Sequence, residues 1–255
     1  MEAKEENVGL SNANFEEQYV ADVYKSISHH FNSTRRQHKW LLVRNFLDSL
    51  DFGSTVIDVG CGNGKYLDFP NLHMFGFDLT EDLLFHAQKL GASAHKANCL
   101  SVPVRQNHFC AAICIAVIHH LSSVENRIQA LTQIARALAP GGRACLCCWA
   151  FENNPKRIKG EKNGNWRPIP PSEGGCPGDY YVDWHLDERY TKHRVKEAQE
   201  LPHKGRERVR FTRYYHLFIE NELKELCSHV EDIDQDSVEE VFDQDNWYLY
   251  FSKQK

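Results

Sequence analysis

The spacing of apolar residues along this chain changes several times, and each change marks an element. From Phe15 to Ser28, Tyr19, Val20, Val23, Tyr24 and Ile27 recur at helical spacing and predict an amphipathic helix. The basic stretch from His29 to Arg36 has no period and reads as irregular, and Trp40 to Leu50 predicts a second helix. Continuous apolar runs predict buried strands at Val56–Val59, Leu72–Phe77, Phe109–Ala116 and Arg143–Ala150, with a weaker one over Ala92–Asn98. Helices fall between them, over Leu83–Leu90 and from Ser122 or Ser123 to Leu138, stopped by Gly91 and by Pro140-Gly141-Gly142. Strand–helix alternation predicts an α/β fold, a mainly parallel sheet with right-handed crossovers. From Phe151 to about Arg210 the periodicity disappears, and Pro168, Pro170, Pro171 and Pro177 break any helix, so 151–210 reads as a polar functional insertion or a linker. Order resumes with a helix ending near Cys227, a weak strand over Val230–Ile233 and a last strand from Asn246 to Ser252. The expected organisation is a disordered segment, 1–14, then one domain, 15–255, with N-terminal helices at 15–50.

The first strand runs into Asp58-Val59-Gly60-Cys61-Gly62-Asn63-Gly64-Lys65. Glycines allow positive φ and leave no Cβ between the chain and a ligand. A phosphate-cradling P-loop is excluded, because Val59 and Tyr66 occupy its first glycine and its hydroxyl position. The dinucleotide fingerprint is excluded because Lys65 replaces its third glycine. A second apolar run ends in Asp78, fourteen residues after Gly64. An acid there can accept both hydroxyls of a ribose; the plainer alternative is a cap for the helix beginning near Thr80.

Composition adds limits rather than chemistry. The 255 residues are 42% hydrophobic and 25% charged, with net charge −5, values of an ordinary globule that does not advertise nucleic-acid binding. No apolar run is long enough to span a membrane, and the polar N-terminus is not signal-like. Nine cysteines, several in apolar runs (Cys110, Cys114, Cys145, Cys147, Cys148), read as buried thiols of a reducing compartment, and with no Cys-x-x-Cys pair no metal site is indicated. Eight lysines and arginines between Lys192 and Arg213 form either a nucleic-acid-backbone patch or a solvated linker.

The Asp-x-Gly-x-Gly-x-Gly loop resembles motif I of class I S-adenosylmethionine-dependent methyltransferases. Further motifs sharpen this: Ser33-Thr34-Arg35, the run Ile115 to His120, Glu125 with Arg127, Pro140-Gly141-Gly142, Cys148-Trp149-Ala150, Arg213-Tyr214-Tyr215-His216 and Asp245-Asn246-Trp247. Together they resemble the eukaryotic tRNA wobble-uridine carboxymethyl methyltransferases, from about Tyr19 to Lys253 apart from the insertion. The resemblance implies a Rossmann-like, seven-stranded, mostly parallel sheet with helices on both faces and an N-terminal helical cap. It implies the cofactor S-adenosyl-L-methionine, bound by Asp58, Gly60, Cys61, Gly62, Gly64, Asp78, Asn98, Cys99, Ile115 and Ala116. It implies methylation of the 5-carboxymethyluridine carboxylate in a tRNA anticodon loop, with Arg35, His120 and Arg127 as catalytic residues. It also implies a heterodimer with a small zinc-binding activator subunit, docked on the outermost strand Ala92–Asn98, and a cytoplasmic location with the nucleus left open.

Three positions depart from the family. Asn98 replaces the Asp expected at the adenine amino group and can accept only through its carbonyl oxygen. Trp40 follows Lys39 rather than Pro, one residue late, and Asn126 removes a positive charge near the expected substrate. Two other functions stay open at this point: a methyltransferase for small acids or lipids, which predicts an apolar lid, and a non-catalytic cofactor-binding scaffold.

Overall fold

The computed structural model describes residues 11–35, 39–152, 166–187, 199–203 and 206–255. Helix α1 (Asn12–Glu16) passes through a π-helical turn at Glu17–Ala21 into α2 (Asp22–Arg35), and α3 spans Leu41–Asp48. Strands β1 (Thr55–Val59) and β2 (His73–Asp78) are followed by α4 (Glu81–Gln88), β3 (Ala94–Lys96) and β4 (Phe109–Ile115). A 3-10 turn at Ile118–His120 leads to α5 (Val124–Ala137) and β5 (Leu138–Trp149). Then come β6 (Trp166–Pro168), β7 (Asp179–Asp187), β8 (Gln199–His203), β9 (Arg206–His216), α6 (Glu222–Ser228), β10 (Ile233–Asp243) and β11 (Asn246–Lys253).

The main sheet has seven strands in the order β10-β11-β5-β4-β1-β2-β3. Strands β3, β2, β1, β4 and β5 pair in parallel, while β11 is antiparallel to both neighbours. Helices cover both faces: α3 and α4 pack Val43, Leu47 and Ala87 near Val56 and Ile113, and α5 and α6 pack Leu131, Ile134 and Leu223 near Ile57 and Leu146. Strand order reverses between β1 and β4, and a crevice opens beyond their carboxyl ends. Strand β3 lies at the edge, as expected. All nine cysteines are free; Cys114, Cys145, Cys147 and Cys148 are buried as expected, but Cys110 is exposed. Among the described residues no helix is long and apolar enough to cross a membrane, and no cluster could hold a metal ion.

Two expectations need correction. Within 151–210 the described residues are not irregular: β6, β7, β9 and β8 form a second, antiparallel sheet. Val182, Trp184 and Leu186 alternate with Asp183, His185 and Asp187 and share one face with Val209 and Tyr215 of the paired strand, a short period set among prolines and charges. Val23 and Ile27 of α2 pack with Trp184, Leu186 and Val209, while Trp149 and Phe151 pack with Tyr180, Val182 and Tyr215. The cap also differs. Ser11 caps α1, accepting the Asn14 amide, so ordered chain begins within the segment expected to be disordered; residues 1–10 lie outside the described ones. Ser33, Thr34 and Arg35 are helical rather than irregular, with the hydroxyls of Ser33 and Thr34 donating back to the His30 carbonyl (2.8 and 2.9 Å). The π turn inserts a residue into the helical repeat. It separates the α1 stripe (Phe15, Tyr19), which packs with Ile169, Tyr181 and Tyr214, from the α2 stripe.

Candidate functional site

The glycine loop closes the end of β1. Gly60, Gly62 and Gly64 have φ of 82°, 53° and 78°, the left-handed region that favours glycine. A Cβ on Gly60 would stand 2.1 Å from Val117, and one on Gly64 2.7 Å from Ala87, so both are also fixed by packing. At Gly62 nothing lies nearer than Leu83 at 4.0 Å. The loop is stitched to β2: Gly60 and Cys61 amides donate to the Phe77 carbonyl, and the Gly62 amide donates to Asp78 Oδ2 at 2.8 Å. Asp78 Oδ1 accepts the Thr80 amide at 2.8 Å, so one carboxylate braces the loop and the entry to α4.

A cleft of about 1590 Å³ runs from this loop toward the second sheet. Its loop end is lined by Asp58, Gly60, Cys61, Gly62, Asp78, Asn98, Cys99, Ile115 and Ala116; Gly64 alone of the expected cofactor residues lies behind the wall. Asp58 is 2% exposed, and its side chain has no hydrogen-bond partner among the described residues. Burial, then the neighbouring Asp78, pushes its carboxyl up to about 8. Burial also raises Asp78, against the Thr80 and Gly62 amides that lower it. Ala116 holds φ of 61° at the end of β4 and turns the chain into the cleft. Asn98 Oδ1 already accepts the Leu100 amide at 2.9 Å.

The far end is aromatic and cationic. Trp149 stacks on Tyr215 (4.4 Å between centroids, 14°) and lies 5.4 Å from Trp166. His119 and His120 are buried, and burial depresses both rings, His120 to about 3. His119 Nδ1 accepts the Trp149 amide at 3.2 Å. Both nitrogens of His120 are engaged, by the Tyr24 hydroxyl at 3.0 Å and the Tyr214 carbonyl at 2.9 Å, so it has no free nitrogen for a substrate.

Of the two arginines expected to be catalytic, Arg127 does not reach the cleft. Arg127 is 3% exposed and absent from the cleft wall. Its Nε donates to the Leu121 carbonyl (3.0 Å) and its Nη2 to the Tyr214 hydroxyl (3.1 Å), and Asp179 and Glu222 lie 3.7 and 3.9 Å away. The same carboxylates flank His216 at 2.7 and 2.6 Å. Arg127 therefore sits in a buried ionic junction joining α5, the second sheet and α6. Arg35 ends α2, and its side chain lies outside the described residues. Asn126 lines the cleft and donates to Glu16 Oε1 (3.0 Å), which also accepts the Ser122 amide and hydroxyl, tying α1 to α5.

The cleft does hold an arginine that sequence reasoning left in the basic run. Arg213 on β9 is 5% exposed and lines the cleft. Its Nη1 donates to the hydroxyls of Tyr215 (2.8 Å) and Tyr24 (3.4 Å), and its plane lies 4.7 Å from the Trp184 ring centroid. Its Nε is buried without a partner, and no carboxylate among the described residues pairs with it. One signal existed: Val209, Phe211, Arg213 and Tyr215 alternate, which places this cation on an apolar strand face.

Residues 57–146 match the family of methyltransferase domains. A methyltransferase from Methanosarcina mazei described as S-adenosylmethionine-dependent superposes with TM-score 0.57 at 18% identity, covering 85% of this chain and 98% of its own, which shows the shared fold. Sheet order, glycine loop and cleft define a class I S-adenosylmethionine-dependent methyltransferase. A Schizosaccharomyces pombe protein named tRNA (carboxymethyluridine(34)-5-O)-methyltransferase is 37% identical over 240 residues, covering 94% of this chain and 98% of the relative. A Macaca fascicularis protein of the same enzyme name is 32% identical over 296 residues, covering 93% of this chain but 44% of the relative. The chain belongs to the tRNA carboxymethyluridine methyltransferase family.

Proposed function

We propose that this enzyme methylates the carboxylate of 5-carboxymethyluridine at position 34 of tRNA, giving the methyl ester. The observation that carries the reading is Arg213, a buried guanidinium with an unpaired nitrogen, on the wall of a cleft that begins at the glycine loop. A buried cation is ordinarily paired; here the described residues offer no anion, and a substrate carboxylate supplies one.

The cleft wall suits the cofactor. Asp58 is an unpartnered buried acid beside an open glycine loop, and a bound cation would favour its charged form. S-adenosylmethionine supplies, when bound, a methyl group on a positively charged sulfur. We assign Asp58, Gly60, Cys61, Gly62, Asp78, Asn98, Cys99, Ile115 and Ala116 to its pocket, with Gly64 as support from behind. A free carboxylate ionises about three pH units below neutrality, so the acceptor needs no general base. His119 and His120, neutral and engaged, are consistent with that. Arg213 orients the carboxylate, for which its planar fork is suited. Trp149 and Tyr215 offer flat faces on which a pyrimidine stacks and from which water is excluded.

The mixed aromatic and polar lining favours this substrate over a lipid, and the unpaired Arg213 favours an enzyme over a scaffold. The three-residue edge strand β3, with Leu79, Phe85 and Leu90 exposed around α4, supports docking of a zinc-binding activator subunit there. Nine unbridged cysteines support a reducing location, the cytoplasm. The test is methyl transfer to an anticodon stem-loop carrying 5-carboxymethyluridine, read by mass spectrometry of its nucleosides. Ester formation on the RNA, and none on small carboxylic acids, is the expected result; methylation of small acids with an inert RNA would overturn the reading.

A further inference from the structure

The groups around Arg213 form a chain with one possible direction. Arg213 Nη1 lies 2.8 Å from the Tyr215 hydroxyl, which lies 3.2 Å from the Tyr24 hydroxyl. Tyr24 lies 3.0 Å from His120 Nε2, and His120 Nδ1 lies 2.9 Å from the Tyr214 carbonyl oxygen. The ends decide the polarity: a guanidinium only donates, and a carbonyl only accepts. His120 must therefore carry its hydrogen on Nδ1 and accept on Nε2. Tyr24 then donates to His120, and Tyr215 donates to Tyr24, leaving both hydroxyl oxygens turned toward Arg213. The burial that keeps His120 neutral preserves its acceptor.

We propose that Tyr24, Tyr215 and His120 are positioning residues, a one-way hydrogen-bond relay that holds Nη1 of Arg213 and so fixes the guanidinium for the substrate carboxylate. The relay rests on the reading of Arg213 as the carboxylate-binding cation. Its consequence lies in where its members sit. Arg213 and Tyr215 belong to β9 and His120 to the turn after β4, but Tyr24 belongs to α2. The N-terminal helix thus completes the anion site through a hydroxyl, beside Asp22 and Lys25, which also line the cleft. Tyr24 is held from two more sides, edge-on to Phe31 (5.4 Å, 80°) and to His120 (5.2 Å, 73°), so a displaced α2 takes the hydroxyl with it. With Tyr24 withdrawn, Nη1 loses one of its two hydroxyl acceptors and Tyr215 loses Tyr24 as the acceptor of its hydrogen, so the hold on the guanidinium is loosened.

A double-mutant cycle on binding of a 5-carboxymethyluridine stem-loop tests this, with cofactor affinity measured beside it. Tyr24→Phe keeps the ring and removes only the relay hydroxyl. It should weaken RNA binding about tenfold while cofactor affinity and melting temperature hold. In an Arg213→Ala background the same change should cost less than twofold, because there is no guanidinium left to hold. Equal losses in both backgrounds, or wild-type binding by Tyr24→Phe, would overturn the relay and leave the carboxylate reading intact. Wild-type binding and turnover by Arg213→Ala would overturn the carboxylate reading itself, and the relay with it.

Discussion

Arg127 and Arg213 are both buried, and they teach opposite lessons. Arg127 on α5 is surrounded by what a cation needs: a carbonyl, a tyrosine hydroxyl and two carboxylates that also hold His216. Arg213 on β9 has two hydroxyls, aromatic faces and an empty-handed Nε. Removing one partner from a closed ionic cluster leaves uncompensated charge, so Arg127 belongs to stability. Leaving a buried cation open is a cost the fold does not recover by itself, so Arg213 belongs to binding.

The largest expected effect follows from the first. Arg127→Ala strands Asp179 and Glu222 and should lower stability by about 3–5 kcal/mol, the range for breaking a buried pair. Denaturant unfolding measures it, and an unchanged midpoint would erase the distinction between the two arginines. Arg213→Ala should do the reverse. Turnover on 5-carboxymethyluridine RNA should fall about 10²-fold, roughly 3 kcal/mol of lost positioning, with the melting temperature held or raised. Arg213→Lys should rescue poorly, since a point charge does not reproduce a planar fork. Steady-state kinetics at saturating cofactor decide it.

A smaller effect is expected at the loop end. Asp78→Ala removes an acceptor facing the cleft and frees the Gly62 and Thr80 amides. Cofactor affinity by calorimetry should drop at least tenfold, in line with about 1.5–3 kcal/mol for a hydrogen bond to a charged group. Unchanged affinity would remove Asp78 from the pocket.

The smallest effect separates the two ends by pH. Asp58 is pushed up to about 8, so between roughly pH 4 and 8 the folded protein keeps a proton that the unfolded chain releases. Its contribution makes stability fall as pH rises through that window, and Asp58→Asn should flatten the decline. In the junction, burial raises Asp179 and Glu222, but hydrogen bonds from His216, with those from Tyr214 to Asp179 and from the Ile219 amide to Glu222, outweigh it and hold both below their ordinary values. Their stabilisation is present above the usual carboxylate range and lost as pH falls below it. Asp179→Asn should therefore flatten the acid side instead. Unfolding curves collected across pH for both variants should move opposite flanks of the profile.

The glycine loop was legible because backbone demands are local: positive φ at Gly60, Gly62 and Gly64 follows from residue type and spacing. The main sheet was legible for a similar reason, since its strands are continuous apolar runs between helices. The second sheet was not. Strand β7 pairs with β9 across about thirty residues (Tyr181 with Tyr214), and the alternation of Val182, Trp184 and Leu186 with Asp183, His185 and Asp187 is short and set among charges and prolines. Arg127 lies away from the cleft, and its spacing points inward: it precedes Ala130 and Leu131 by three and four residues, on the buried face of α5. Arg213 belongs to a basic run with seven other cations and to the Arg213-Tyr214-Tyr215-His216 motif, and the alternation of β9 is what places it on an apolar face. Residue type names a charge; the face it occupies decides what that charge is for.

The topology has a kinetic consequence as well. Strand β11 is inserted between β5 and β10, so the sheet is not complete until residues 246–253 have been synthesised and threaded into place. The same holds for the N-terminal helix, whose packing partners Trp184, Leu186 and Val209 come about 160 to 180 residues after it in the chain. During synthesis Val23, Ile27 and their neighbours stay uncovered through most of elongation. Contacts so distant in sequence close slowly and leave apolar surface exposed to other chains meanwhile. This protein should depend on slow translation, low temperature or a holding chaperone for its yield of folded chain more than on the stability of the fold once formed.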